Sequence, residues 1–224
     1  MTMIQLAVFD MAGTTVLDHD NVHQALMNAM ASFGFQVERP EANALMGYPK
    51  PLAIREMLER READLALVEP IHRAFLDEMI HFYQTDPGVA PTVYAEETFE
   101  ILREKGIKVA LDTGFSRDIT EAIIERLNWH DRIDAWVASD MVERGRPYPD
   151  MIRYLMDKTG VSAPEAVAKI GDTTVDILEG KNAGASLVIS VTNGAYQADE
   201  LAALEPTHLV ANLEEALHVI LSKT

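Results

Sequence analysis

The chain has 224 residues and no cysteine, so disulfide cross-links and thiolate chemistry are both excluded. It has no run of ~20 uninterrupted apolar residues, the length that a membrane-crossing helix needs. It opens without the basic segment and long apolar stretch of a secretory signal, so a cytoplasmic location is expected. Basic residues are scarce: 19 Lys and Arg stand against 36 Asp and Glu, a formal net charge of −17. Nucleic acid and anionic membrane both require a basic surface, and the acid excess argues against either as a partner. A small anionic substrate is not excluded, because it needs only local positive potential from a cation and backbone N–H groups. No Gly-rich loop ending in Gly-Lys-Ser/Thr is present, which removes a nucleotide-binding P-loop. His72, His81, His130, His208 and His218 are scattered without metal-ligand spacing.

About half of the residues are apolar and no segment is of low complexity, as in a folded globular protein. The apolar run 4–9 reads as a buried strand that ends at the carboxylate of Asp10. Residues 21–33, 41–46, 52–62 and 65–84 are then helical by their apolar spacing, for example Ile54, Met57, Leu58 and Phe75, Met79, Phe82. Asp86-Pro87-Gly88-Val89-Ala90-Pro91 reads as a loop and a hinge. Beyond it strands and helices alternate: strands at 107–111, 135–138, 166–170, 186–191 and 208–210, helices at 94–105, 117–128, 149–159, 174–183 and 212–222. Such alternation marks an α/β fold with a parallel sheet covered by helices. The expected organisation is a discontinuous core, residues 1–17 plus 88–224, with an all-helical cap, residues 18–87, inserted after the first strand.

Three strand ends and one further loop carry polar motifs. Asp10-Met11-Ala12-Gly13-Thr14 follows the first strand. Thr113-Gly114 follows a later one, where a hydroxyl and a backbone N–H suit a phosphoryl oxygen or simply close a turn. Arg146-Pro147-Tyr148-Pro149 offers a guanidinium fork for phosphate, which could also pair with Asp10, and Arg144 competes for that role. In Gly171-Asp172-Thr173-Thr174-Val175-Asp176 the spacing puts two carboxylates on one face of a helix start, either as caps or as ligands. Asp10 and Asp172 together read as a magnesium site, since Mg²⁺ takes one or two carboxylates plus other hard oxygens.

In order and spacing these motifs resemble those of the haloacid dehalogenase superfamily, whose first motif is usually Asp-x-Asp-x-Thr. Ala12 in place of the second Asp is similar to the phosphonatase branch. The resemblance implies a Rossmann-like core with strand order 3-2-1-4-5 and the helical cap. It implies Asp10 as the nucleophile toward phosphorus. The implied metal set is Asp10, the Ala12 carbonyl and Asp172, with Asp176 in support, around Mg²⁺. Thr113 and Arg146 then hold the phosphoryl group, and Gly13, Thr14, Gly114 and Phe115 line the substrate.

Met46-Gly47-Tyr48-Pro49-Lys50 resembles the cap segment of the same branch, in which the Lys forms a Schiff base with an aldehyde. A carbon–phosphorus bond breaks heterolytically only if the departing carbanion is stabilised, and an iminium β to phosphorus converts it to an enamine. Lys50 must be neutral to attack, so its pKa must fall from ~10.4. Lys50 could instead be a surface residue of a Pro-rich turn. The branch carries His three residues after this Lys, where Ala53 stands here. His19 or His23 could substitute, and Arg55 fits the Arg of the branch.

The expected activity is magnesium-dependent hydrolysis of phosphonoacetaldehyde or a similar small phosphonate. A phosphatase acting on small phosphate esters without imine chemistry is the alternative. A non-catalytic phospho-ligand-binding protein is the second alternative, suggested by alanine at positions 12 and 53. The family further implies a homodimer through the cap.

Overall fold

A computed structural model describes residues 3–223. The first strand, β1 (Leu6–Asp10), has every residue buried and includes Asp10 as its last position. It starts two residues later than the apolar run suggests. Four helices follow: α1 (Asn21–Ser32), α2 (Arg39–Asn43), α3 (Lys50–Glu59) and α4 (Val68–Thr85), the last preceded by a 3₁₀ turn at Leu65–Leu67. After α5 (Ala95–Glu104) come β2 (Lys108–Thr113), α6 (Arg117–Leu127), β3 (Ala135–Ala138) and α7 (Asp150–Thr159). Then come β4 (Val167–Gly171), α8 (Thr174–Ala183), β5 (Leu187–Val191), α9 (Ala198–Ala202), β6 (His208–Val210) and α10 (Leu213–Leu221).

The helices also differ from the sequence expectation. The helix expected at 41–46 is α2, earlier and shorter, because Pro40 fits a first helical turn where no N–H is needed. The helix expected from residue 52 starts at Lys50, with Pro51 accommodated in its first turn for the same reason. The short helix α9 was not expected.

The six strands form one parallel sheet in the order β3-β2-β1-β4-β5-β6. Successive residues of β1 face opposite sides, as strand geometry demands. Leu6 and Val8 join Ala110, Val137, Met151 and Leu155 in one apolar cluster under α7. Ala7 and Phe9 join the other, which runs without a break through Phe99, Ile123 and Trp129 into Leu26, Met30, Ile54, Met57 and Phe75 of the helical insert. Aromatic edges tie this second cluster: Phe9 to Phe99 at 5.5 Å, Phe99 to Trp129 at 5.3 Å, and Tyr83 of α4 to Phe115 at 6.0 Å between centroids. Burial of this apolar surface holds the insert against the sheet layer. Among the described residues no helix is long and apolar enough to cross a membrane.

Candidate active site

In an open parallel sheet, ligands collect at the carboxyl ends of the strands where the strand order reverses. Here that place lies between β1 and β4. The register aligns Asp10 with Asp112 of β2, and Phe9 with Ile170 of β4, so Asp10, Thr113 and Asp172 emerge together. A cavity of about 180 Å³ opens above them. Of the residues singled out in the sequence, Asp10, Ala12, Gly13, Met46, Gly47, Lys50, Thr113, Gly114, Phe115, Arg146 and Asp172 line it. Three do not. The Thr14 hydroxyl donates to Asp172 Oδ1 at 2.8 Å, behind the cavity. Asp176 is buried, and its Oδ2 accepts from the N–H and hydroxyl of Thr173 at 3.1 and 2.5 Å. His19 is outside the lining, with its backbone N–H donating to Asn21 Oδ1 at 3.1 Å. His23, in contrast, lines the cavity from α1.

Arg146 is fully buried and touches four carboxylates. Its Nη2 lies 2.6 Å from both Asp10 Oδ1 and Asp112 Oδ1, its Nη1 3.1 Å from Asp176 Oδ1, and its Nε 3.4 Å from Glu179 Oε2. Lys169 Nζ, also fully buried, pairs with Asp112 Oδ1, with Asp176 Oδ1 at 3.0 Å and with Glu179 Oε2 at 3.2 Å. Burial opposes charge on Arg146, but the four carboxylates outweigh it and hold its pKa well above the ordinary value. Arg144 is half-exposed and paired with Asp150, away from the cavity. Sequence reasoning missed Asp112, Lys169 and Glu179. The signal for Lys169 was present: a charged side chain inside Val-Ala-Lys-Ile-Gly, a buried strand, demands buried partners.

Asp10, Asp112, Asp172, Asp176 and Glu179 are all buried, while Arg146 and Lys169 are the cations paired with four of them, all but Asp172. The acid excess shows in the titration. Burial pushes Asp10 up to about 6 despite Arg146 beside it. Burial, with Asp10 and Asp176 nearby, pushes Asp172 well above the carboxylate range. Asp10, Asp172 and Asp176 offer oxygens within 4.8 Å of one another, an all-oxygen set that fits a hard divalent cation. Asp176 faces Thr173, Arg146 and Lys169 and does not line the cavity, so Asp10 and Asp172 are the two that present oxygens to it. The second acidic group, Asp112, Asp176 and Glu179, is filled by Lys169 and Arg146. Backbone pressed against Asp172 fixes its aim. Ala195 N–H donates to Oδ2 at 2.7 Å, and Gly13, at φ +91°, comes so close that a Cβ would stand 2.6 Å from the same oxygen.

Lys50 is the first residue of α3 and is 3% exposed. Its Nζ lies 5.9 Å from the ring centre of Phe75 and 5.8 Å from that of Phe115. Among the described residues no hydrogen bond or ion pair holds it. Burial lowers its pKa to about 8, against the opposing pull of Asp10. A helix N-terminus also disfavours a cation. The segment before Lys50 is pressed on the core: a Cβ on Gly114 would meet the Gly47 carbonyl oxygen at 2.6 Å. The Tyr196 hydroxyl donates to the Asn43 carbonyl at 3.0 Å across the same boundary.

Residues 4–184 match the family model of haloacid dehalogenase-like hydrolases. The chain belongs to this family. It is thus a hydrolase of phosphonatase or phosphatase type. Phosphonoacetaldehyde hydrolase of Bacteroides fragilis is 29% identical over 237 residues, covering 96% of this chain and 88% of the relative. A protein of Dickeya dadantii called "Probable phosphatase IndB" is also 29% identical, over 98% of this chain and 96% of its own. In fold, the crystal structure of a phosphonoacetaldehyde hydrolase-like protein from Oleispira antarctica superposes with a TM-score of 0.86 at 19% identity, over 98% of this chain and 92% of that one.

Proposed function

We propose that this hydrolase cleaves a carbon–phosphorus bond in phosphonoacetaldehyde or a closely similar substrate, with Mg²⁺ held at Asp10, Asp172 and the Ala12 carbonyl. One observation carries the reading: Lys50 is a buried amine with no ion-pair partner among the described residues, in the same cavity as Asp10. A phosphate-binding lysine does not need to be kept dry and neutral, whereas an imine-forming lysine does.

On this reading the Lys50 amine condenses with the aldehyde to an iminium β to phosphorus. Asp10 attacks phosphorus in line, and the electron pair of the carbon–phosphorus bond moves into the iminium, leaving an enamine on Lys50 and an aspartyl-phosphate. Arg146, Thr113 and the Gly114 N–H hold the phosphoryl oxygens, an electrostatic role in a dry site. Bound Mg²⁺ would neutralise the phosphoryl oxygens as a Lewis acid. Water then releases phosphate from Asp10. Ala12 is explained, because a carbon leaving into an iminium needs no acid from the core. Residues 18–87 act as a cap over a core of 1–17 and 88–224, with Met46, Gly47 and Phe115 framing the aldehyde end and water kept out on closure.

The test is borohydride reduction in the presence of phosphonoacetaldehyde, followed by peptide mass mapping. A reduced adduct on Lys50, with acetaldehyde and phosphate formed in equal amounts, is the expected result. No adduct, with Mg²⁺-dependent hydrolysis of phosphate esters intact, overturns it. That outcome belongs to the second reading, a small-ester phosphatase, which the likeness to the Dickeya dadantii protein favours. General acid help is worth ~10²–10⁴-fold, so without an acid at position 12 such a phosphatase needs a good leaving group.

A further inference from the structure

The loop after β5 is anchored at three places. Thr192 N–H donates to the Val210 carbonyl at 3.0 Å, Ala195 N–H to Asp172 Oδ2 at 2.7 Å, and the Tyr196 hydroxyl to the Asn43 carbonyl at 3.0 Å. Between the first two anchors stand Asn193 and Gly194, and both line the cavity. Asn193 is exposed, and its side-chain amide has no hydrogen-bond partner among the described residues. The Gly194 N–H has none either among the described residues.

Glycine is demanded at position 194. The backbone there is pressed so closely on Asp172 that a Cβ would overlap the carboxylate. Only glycine lets a main chain approach that near. The contact that clasps Asp172 therefore leaves Asn193 followed by the residue that shields its own N–H least. Asn193 is the only asparagine in the chain that glycine follows.

We infer that Asn193-Gly194 is a site of spontaneous deamidation, and that its isoaspartyl product releases Asp172 from the loop. Water is the only reagent. The Gly194 amide nitrogen gives its proton to solvent hydroxide and attacks the Asn193 side-chain carbonyl carbon, forming a carbon–nitrogen bond. The tetrahedral carbon expels the amide nitrogen as ammonia, which takes a proton back from water, and a five-membered succinimide remains. Water then adds to one of the two ring carbonyls and that carbon–nitrogen bond breaks, the proton going to the Gly194 nitrogen. Hydrolysis on one side restores the original main chain with a carboxylate side chain. Hydrolysis on the other routes the main chain through the side-chain carbons and leaves isoaspartate. In both, one amide and one water have become one carboxylate and one ammonium ion.

Both products add a negative charge to a wall that already holds buried Asp10 and Asp172. The isoaspartyl product also inserts a methylene between the Thr192 and Ala195 anchors. The close contact at Asp172 leaves no room for that extra length at Gly194, so the Ala195 N–H is drawn off Oδ2. Asp172 then loses the donor that fixes its aim. This consequence rests on Asp172 as a metal donor; the modification itself does not.

The experiment ages wild type and Asn193→Gln in warm, mildly alkaline buffer, where the amide proton is lost more readily. Peptide mass mapping and isoaspartyl methyltransferase labelling count the product, and calorimetry with Mg²⁺ alone measures metal affinity without turnover. Glutamine would have to close a six-membered ring, which is far slower. In wild type, isoaspartate is expected at position 193 before any other asparagine reacts. The isoaspartyl protein is expected to bind Mg²⁺ at least ~10-fold more weakly, the scale on which loss of a partner to a metal-binding carboxylate acts. Asn193→Gln is expected to keep the affinity of its own fresh sample. Asn193→Asp, which adds the charge without the methylene, is expected to bind Mg²⁺ at least as tightly as wild type. Asn193 left intact while other asparagines deamidate overturns the inference. So does an isoaspartyl protein that binds Mg²⁺ as the fresh protein does, or an equal loss in aged Asn193→Gln. Fresh protein that binds no Mg²⁺ overturns Asp172 as a metal donor and the release drawn from it, while the mass at position 193 still decides the deamidation.

Discussion

Arg146 Nη2 lies 2.6 Å from Asp10 Oδ1, with both side chains buried. The proposed nucleophile is therefore held by a guanidinium that also spans Asp112, Asp176 and Glu179. One carboxylate oxygen of Asp10 is oriented by a group that is itself fixed at four points. Such preorganisation removes the reorganisation cost at the moment of attack.

Asp10→Asn keeps the shape and hydrogen-bonding capacity of the side chain and removes the nucleophile. Phosphate release is expected to fall by at least ~10³-fold, the scale on which removal of a covalent catalytic group acts. The melting temperature is expected to hold or rise, because burial already pushes this carboxyl up to about 6 and its charge is costly. Phosphate release and melting curves check this. Turnover close to wild type would remove Asp10 from the chemistry and favour a ligand-binding role.

Lys169→Met substitutes an apolar side chain of similar length in β4. It leaves Asp112, Asp176 and Glu179 with Arg146 as their paired cation. Removing one partner of a buried ion group costs ~3–5 kcal/mol, whereas replacing the whole group can be neutral. Urea denaturation near neutral pH is expected to show a loss of that order. The loss shrinks in acid, where the orphaned carboxylates are protonated rather than charged. No change in midpoint would mean that Lys169 adds nothing to the network.

Much of this arrangement was legible in the chain itself. Six strands, their order from β3 to β5, and the four helices before α5 follow from periodicity and from motif resemblance. The sequence placed Asp10, Thr113, Arg146 and Asp172 at strand or loop ends, and the register brings them to one cavity. What stayed hidden was partnership. Asp112 precedes a motif residue and Glu179 sits within a helix, and neither has a local signal. They are identified only once the sheet sets β2 and β4 on either side of β1, so that the Lys169 side chain reaches Asp112. His23 shows the same limit. One turn of chain separates it from His19, and only the direction of α1 puts His23, rather than His19, in the cavity wall.

Metal binding is expected to release protons. The folded-state pKa of Asp10 is raised to about 6 from 3.8, and burial raises Asp172 as well, so the metal-free protein keeps protons that the unfolded chain has lost. Between about pH 4 and 6 the native state binds more protons than the unfolded one, and metal-free stability falls as pH rises through that window. A divalent cation must displace those protons, so its affinity grows with pH over the same range. Calorimetry with Mg²⁺ in buffers of different ionisation enthalpy measures the release. The Mg²⁺-induced rise in melting temperature is expected to be larger at about pH 7.5 than at about pH 5. A rise independent of pH would place the ion away from Asp10 and Asp172.

Lys50 ties function to stability in the opposite direction. Burial depresses its folded-state pKa from 10.5 to about 8. Below about pH 8 the amine is protonated in both states, and the native state carries the full cost of a buried ammonium. As pH rises from 8 toward 10.5 the native amine is neutral while the unfolded one is still charged, so the cost disappears. At 1.36 kcal/mol per unit the shift corresponds to a cost on the order of 3 kcal/mol, part of which the Phe75 and Phe115 ring faces offset. Lys50→Met, of similar length and uncharged, is therefore expected to melt several degrees higher than wild type at neutral pH. Near pH 10.5 the two curves are expected to converge. The same variant is expected to lose carbon–phosphorus cleavage completely, since it has no amine. A stabilised, inactive Lys50→Met is what a lysine retained for chemistry produces. A variant less stable than wild type at neutral pH would instead mean that the ammonium is bound and satisfied where it lies, and that Lys50 serves the packing between α3 and the core rather than a reaction.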